Sequence, residues 1–389
     1  RQSEYDRKLN MMTVRGNYFI NPDMVVSVGV STLNRTYESF DGLFGAPSNF
    51  GDALGWGDSA TVVAEYSDDP AMATLVGNNW RSSYQSPDNY YFGQFPFARE
   101  GDIATGWGKN ERSSVGIDAG LTWQYGDHEI RAGFDQKTYK YRRFYLGTGA
   151  IGGVNRMIAS GDVTREAAAG GDNAAVTAEL AASNRGGHIG YDDYGNYFDD
   201  DLDGPREPST MSLYVNDKYE AGDVVISLGV RMDNFNMDDW KLNDPTNPPW
   251  DELNKSVHAD EISDSDTKTE IQPRLGMAFP VSDEIVFHLQ YGKFAQMPEL
   301  DLPYAATRYM HLVWGGQNYT PDPMGFDLDP VLTTQYEVGM SYQFLPDAAI
   351  DVTAFAKNTT GQVVLVVHRN GELGHTNNAA RSSEYRNCR

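Results

Sequence analysis

The sequence predicts an all-β protein: a transmembrane antiparallel up-and-down β-barrel with short periplasmic turns and long extracellular loops. Three observations lead there. A hairpin recurs five times, turning at Asn21-Pro22-Asp23, Gly126-Asp127, Glu220-Ala221-Gly222-Asp223, Val281-Ser282-Asp283-Glu284 and Leu345-Pro346-Asp347. Between the hairpins lie much longer polar connections, at 38–109, 146–207, 239–266 and 299–331. Short turns at one end and long loops at the other are the layout of an outer-membrane barrel. Finally, apolar and polar residues alternate with period two, which signals strand rather than helix.

The elements follow in order. In the first hairpin, 8–20 and 23–36, Met24, Val26, Val28 and Val30 alternate with Val25, Ser27, Gly29 and Ser31. In the second, 112–125 and 128–144, Ile117, Ala119, Leu121 and Trp123 alternate with Asp118, Gly120, Thr122 and Gln124. The third, 209–219 and 224–237, sets Ile226, Leu228, Val230 and Met232 against Ser227, Gly229, Arg231 and Asp233. The fourth, 268–280 and 284–296, sets Leu275, Met277, Phe287 and Leu289 against Arg274, Gly276, His288 and Gln290. The fifth, 332–344 and 348–358, sets Tyr336, Val338 and Met340 against Glu337, Gly339 and Ser341. Residues 362–369 offer an eleventh strand, and 370–389 read as an irregular C-terminal segment.

The two faces differ in chemistry. One is nearly free of charge; the other carries Arg, Asp, Glu, His and Gln among many Gly and Ser, as a water-filled or plugged lumen requires. Aromatics gather beside the short turns at Tyr18, Trp123, Tyr125, Tyr219, Phe279, Tyr342 and Phe344. A second group, Tyr37, Tyr139, Tyr141, Phe235, Tyr291 and Phe294, lies toward the loops. Two such bands fit interfacial girdles. Strands of roughly 12–16 residues exceed the five or six of ordinary sheets, so the wall rises above the membrane.

Composition narrows the function classes. No run of about 18 apolar residues occurs, which excludes helical spans and leaves a barrel open. Aromatics make up 12% of the chain. That suits girdles, and it also suits a secreted glycan-binding β protein. The net charge of −24 argues against nucleic acid, which needs basic surface. Cys388 is the single cysteine, so no disulfide or thiolate metal site forms within the chain. No signal peptide is visible at Arg1-Gln2-Ser3-Glu4, and this terminus is read as other than the native start.

Several segments carry a likeness. Thr269-Glu270-Ile271-Gln272-Pro273-Arg274-Leu275-Gly276, then Val286-Phe287-His288-Leu289-Gln290-Tyr291-Gly292-Lys293-Phe294, resembles the barrel of TonB-dependent outer-membrane receptors. The likeness is closest to the Oar-like and SusC-like type. Ser212–Tyr219 with Leu228–Asp233, and Thr333–Gly339, resemble it too. The resemblance implies a barrel of about 22 strands around a separate plug. It also implies import of a scarce ligand driven by the TonB complex through that plug. The present chain holds about half of that wall and neither plug nor TonB-box, so 1–369 read as a partial barrel. A half-wall has open edges, which lipid does not tolerate.

Candidate sites lie in the loops. Asp199, Asp201 and Asp203, followed by Gly204, have the alternate-acid spacing that opens a calcium loop, although Thr210 stands where a bidentate Glu belongs. Trp80, Tyr84, Tyr90, Tyr91 and Phe95, with Tyr304, Tyr309 and Trp314, could stack on a sugar or apolar ligand. The competing reading is loops folded on small cores of their own. The histidines lack metal-ligand spacing, and no catalytic signature appears. The sequence is read as a non-enzymatic receptor of the cell outer membrane for active uptake of a siderophore, glycan or peptide. It needs no cofactor beyond calcium in a loop, and its partners are membrane lipid, the TonB complex and a surface lipoprotein. A passive porin or surface adhesin is the alternative from another class.

Overall fold

The computed structural model describes residues 2–79, 90–92, 95–97, 103, 105–171, 173–183, 188–199, 201–244, 250–251, 256–300, 304, 327–369 and 381–387. Ten strands form one sheet. They are β1 (Ser3–Asn21), β2 (Met24–Asp41), β3 (Trp107–Tyr125), β4 (His128–Leu146), β5 (Ser209–Ala221), β6 (Val224–Asn236), β7 (Lys268–Ser282), β8 (Ile285–Gln296), β9 (Val331–Leu345) and β10 (Ala348–Thr360). Each pairs antiparallel with its neighbours in chain order, so the sheet is an up-and-down meander. The barrel is not closed: among the described residues, β1 and β10 have no second strand partner. The five predicted hairpins are all present. Gly126 and Gly222 hold φ of 58° and 61° in two of the turns, a region glycine enters without penalty.

Register assigns every side chain to a face. Val28 pairs with Ala119, Ala119 with Phe134, Phe134 with Leu213, and Leu213 with Met232. These residues and their i±2 neighbours make the apolar face, because partners in an antiparallel ladder point the same way. Val28, Val30, Val115, Ile117, Leu228 and Val230 on it are exposed. Tyr18, Tyr125, Tyr342 and Phe344 form its lower aromatic band and are exposed as well. The upper band differs from expectation. Tyr37, Tyr139, Tyr141, Phe235 and Phe294 fall on the polar face, and only Tyr291 of that group is on the apolar one. Tyr141 and Phe235 are buried there, Tyr141 under loop residues Ile189, Leu300 and Tyr304.

β2, β3 and β4 extend further than the alternation predicts, and their upper ends carry a helical cap. The cap consists of α1 (Phe50–Gly55), α2 (Ser59–Ala64), α3 (Pro70–Asn79), α4 (Thr148–Ser160), α5 (Arg165–Ala169) and α6 (Ala174–Ser183). Asn49, Asp58 and Thr164 cap α1, α2 and α5 by accepting from the backbone N–H of Asp52, Thr61 and Ala167. α4 ends at Gly161, whose φ is 82°. Phe50, Leu54, Ile151, Val154 and Leu180 bury against Phe40, Trp107, Phe144 and Leu146 of the strands. This is the largest core among the described residues. Its signal in the sequence is the helical spacing of Ala150, Ile151, Val154, Met157 and Ile158.

The C-terminal segment corrects the sequence reading. Val363–Arg369 (β11) pairs with Arg381–Asn387 (β12) in a separate two-stranded sheet. Arg381–Asn387 is too polar to announce itself by alternation; hydrogen bonds from β11 supply what its side chains do not.

Candidate functional site

The polar face is braced across strands. Arg15 Nη2 donates to Asp118 Oδ2 at 2.9 Å, reaching from β1 to β3 over Gly29 of β2. A Cβ at Gly29 would fall on the Asp118 carboxylate, so the bridge needs glycine there. A longer network starts at Arg231. Its guanidinium donates to Asp233 Oδ1 at 2.7 Å, Asp135 Oδ2 at 3.1 Å and Ser212 Oγ at 2.5 Å. The Gln272 amide donates to Asp233 and accepts from the Ala295 N–H at 3.1 Å. Five strands, β4 to β8, are tied through the buried Asp233 and its partner Arg231.

Above the wall, the loop 188–199 is clasped to the cap side of β3 and β4. Tyr191 and Tyr197 both donate to Glu111 Oε1 at 2.8 Å. Their rings stack at 5.3 Å, and Arg142 lies 4.8 Å from the Tyr197 centroid. Arg142 also pairs with Asp199 and donates to the Gly190 carbonyl at 2.7 Å. Lys109 Nζ sits 4.1 Å from the Trp107 ring and donates to the Gly195 carbonyl at 3.0 Å. Burial pushes the Lys109 ammonium below its usual range. Burial, then the bond to Glu111, pushes the Tyr191 hydroxyl well up, so it remains a donor. The clasp is therefore internally satisfied. Glu111→Ala strands the buried Tyr191 hydroxyl and is expected to destabilise the loop by about 1–3 kcal/mol. Hydrogen exchange would read this as faster exchange confined to 188–199.

A second cluster sits on the polar face at the loop end. Tyr141, Ile189, Met237, Leu300 and Tyr304 pack together. Beside them Asp239 is 4% exposed. Its Oδ2 accepts from the Asp327 N–H at 3.3 Å. Burial is the main cause that pushes this carboxyl from 3.8 to about 7, against the pull of Arg206. A carboxyl raised on folding stabilises the loop contact in its protonated form. That contribution is complete below about pH 4 and is lost as pH rises through 7. Hydrogen-exchange protection factors at 237–244 and 327–329, with the intrinsic pH dependence removed, are expected to fall from pH 5.5 to 8.5, and Asp239→Asn to flatten the change.

The family model described as TonB dependent receptor-like, beta-barrel matches residues 30–387. The chain belongs to this family. No curated protein matches it. Among solved structures, the hemophore receptor HasR of Serratia marcescens, a double mutant in complex with its hemophore HasA and heme, gives a TM-score of 0.50 at 11% identity. The match covers 99% of this chain and 44% of that one. The outer-membrane transporter YddB of Escherichia coli gives 0.47 at 9% identity, covering 99% and 38%. The FrpB iron transporter of Neisseria meningitidis gives 0.46 at 10%, covering 98% and 39%. At these identities the likeness concerns the fold alone. The chain spans less than half the length of each of these three structures.

Within this TonB-dependent receptor barrel, the predicted loop residues fare differently. Tyr304 is a core residue, 1% exposed, and donates to the Met237 carbonyl at 2.6 Å. Tyr90, Tyr91 and Phe95 lie in a small ladder of 90–92 with 95–97; their side chains, and Trp80, Tyr84, Tyr309 and Trp314, lie outside the described residues. Of the acidic loop, Asp199 is engaged by Arg142, which holds its carboxyl below the usual range. Asp203 is buried, and the side chain of Asp201 lies outside the described residues. Among the described residues, no three acidic, His or Cys side chains converge as a metal site. The clasp residues Lys109, Glu111 and Arg142 escaped sequence reasoning because charged residues on a strand carry no motif.

Proposed function

We propose that this chain is wall and loop cap of an outer-membrane receptor that imports a scarce ligand with energy from the TonB complex. The match to the receptor barrel over 30–387 carries the reading. The two-faced wall supports it, since lipid requires the apolar face and a lumen the polar one. The long loops are the place for ligand capture, and siderophore, glycan and peptide are the ligand classes considered. In this reading TonB acts through a plug domain of the receptor, and a surface lipoprotein is a further partner. The Asp199–Asp203 loop is the place to look for calcium, by titrating the detergent-purified full-length protein.

The test uses the full-length gene product. It is expected to fractionate with outer membranes, require detergent for extraction and bind the purified C-terminal domain of TonB. Strains lacking the receptor or TonB should share a growth defect on one nutrient of a panel of ferric siderophores, glycans and peptides. Extraction without detergent would end the barrel reading. Membrane insertion without TonB binding would leave a porin or adhesin.

A further inference from the structure

We propose that the polar face carries a carboxylate-binding site centred on Arg274. The proposal rests on reading that face as the lumen of an uptake receptor. On the same face Arg15, Arg131 and Arg231 each have a carboxylate within 3.1 Å. Arg274 departs from them. Among the described residues its guanidinium has no acidic partner; it lies over the Phe294 ring, 5.0 Å from the centroid.

The register builds the site. Gly229 and Gly292 are the cross-strand partners of Arg274 on its two sides, and Gly292 pairs onward with Gln335. Gly292 lines a hollow of about 400 Å³ beside the guanidinium, the Phe294 ring lying over Gly292 and the Asn216 amide over Gly229. Asn216, Ser227, Gln290 and Gln335 supply its polar walls, and no acid lines it. Glu337 stands one row nearer the turns, opposite Gln290, where Gln335 donates to it at 3.4 Å and His288 lies 3.8 Å away. Lys357 extends the Arg274 row on β10 and adds positive potential.

These parts fit a planar monoanion. The Phe294 ring lies beside the guanidinium at 5.0 Å, and a guanidinium offers paired donors that match a carboxylate. A guanidinium edge among neutral amides, with Lys357 further along its row, suits a planar carboxylate. The carboxylate could belong to a ligand in transit or to an acidic side chain elsewhere in the same full-length protein.

Phenylglyoxal modification of the detergent-purified full-length protein, mapped by peptide mass spectrometry, tests the site and separates the two sources. If free carboxylates are the source, Arg274 reacts readily. Benzoate then slows it saturably, by about tenfold at ten times the half-protecting concentration, while Arg131 is unaffected. If the protein's own acid is the source, Arg274 reacts only in denaturant. Arg274→Gln then lowers the melting temperature, and Arg274→Lys lowers it less. An Arg274 that reacts equally fast with and without benzoate overturns the site. Equal protection by inorganic phosphate overturns the carboxylate assignment. TonB-domain binding by the same preparation is scored separately. A protected Arg274 without TonB binding keeps the site and removes the receptor reading, and the converse keeps the receptor and removes the site.

Discussion

Trp107→Ala is expected to release the helical cap while the wall stays paired, at a cost of about 3–5 kcal/mol. Trp107 is fully buried at the top of β3. Its ring meets Phe144 edge-on at 5.0 Å and supports the Lys109 ammonium at 4.1 Å. Its indole N–H donates to Glu38 Oε1 at 2.8 Å. Truncation therefore removes a large apolar body from the junction of strands and helices, leaves a cavity, and orphans a part-buried carboxylate. Trp107 stands where the helices meet the strands, so the loss falls on the cap. Limited proteolysis of outer-membrane fractions should show new cuts within 147–183 and none within the hairpins. Unchanged cap protection in the variant would show that the helices hold together without the junction.

Val28→Arg is expected to impair barrel assembly far more than Ser27→Arg, one residue away. Val28 is 50% exposed on the apolar face, between Gly16 of β1 and Ala119 of β3. It lies a few residues from the periplasmic turn, where the bilayer midplane falls. A lipid-facing arginine there costs about 2–4 kcal/mol, whereas lumen-facing substitutions are tolerated. Ser27 points to the polar face, across from Gly120. The measurement is the folded fraction in outer membranes, read by mobility of unheated and heated samples on gels. Equal folding of the two variants would refute the assignment of faces on which the reading as a membrane wall depends.

The wall was legible because its chemistry is periodic. Two solvents on two faces impose alternation, and tight turns punctuate it with Gly, Asp and Pro. The upper parts of β2 to β4 were not legible for the same reason inverted. There the helices replace lipid against one face, so Trp107, Lys109 and Glu111 can follow one another at alternate positions without an apolar rule. The aromatic residues mislead in a related way. Tyr141 reads as a girdle residue and Tyr304 as a loop platform in sequence, yet both rings pack in one buried cluster, 5.5 Å apart. Aromatic content says that a side chain wants contact; it does not say with what. The acidic run at Asp199 likewise finds a partner that its own neighbours do not announce: Arg142, 57 positions earlier in the chain, pairs with its first carboxylate.

By itself, the sequence determined the up-and-down order of the strands, their turns and the two-faced character of the wall. Each of these follows from neighbours along the chain and from a repeat of two residues. Only the tertiary structure decided which loop residues are core, which charges are paired, and that Arg274 faces an unfilled hollow. Those outcomes depend on residues brought side by side from distant strands, and on glycines whose effect is felt only by the partner across the ladder.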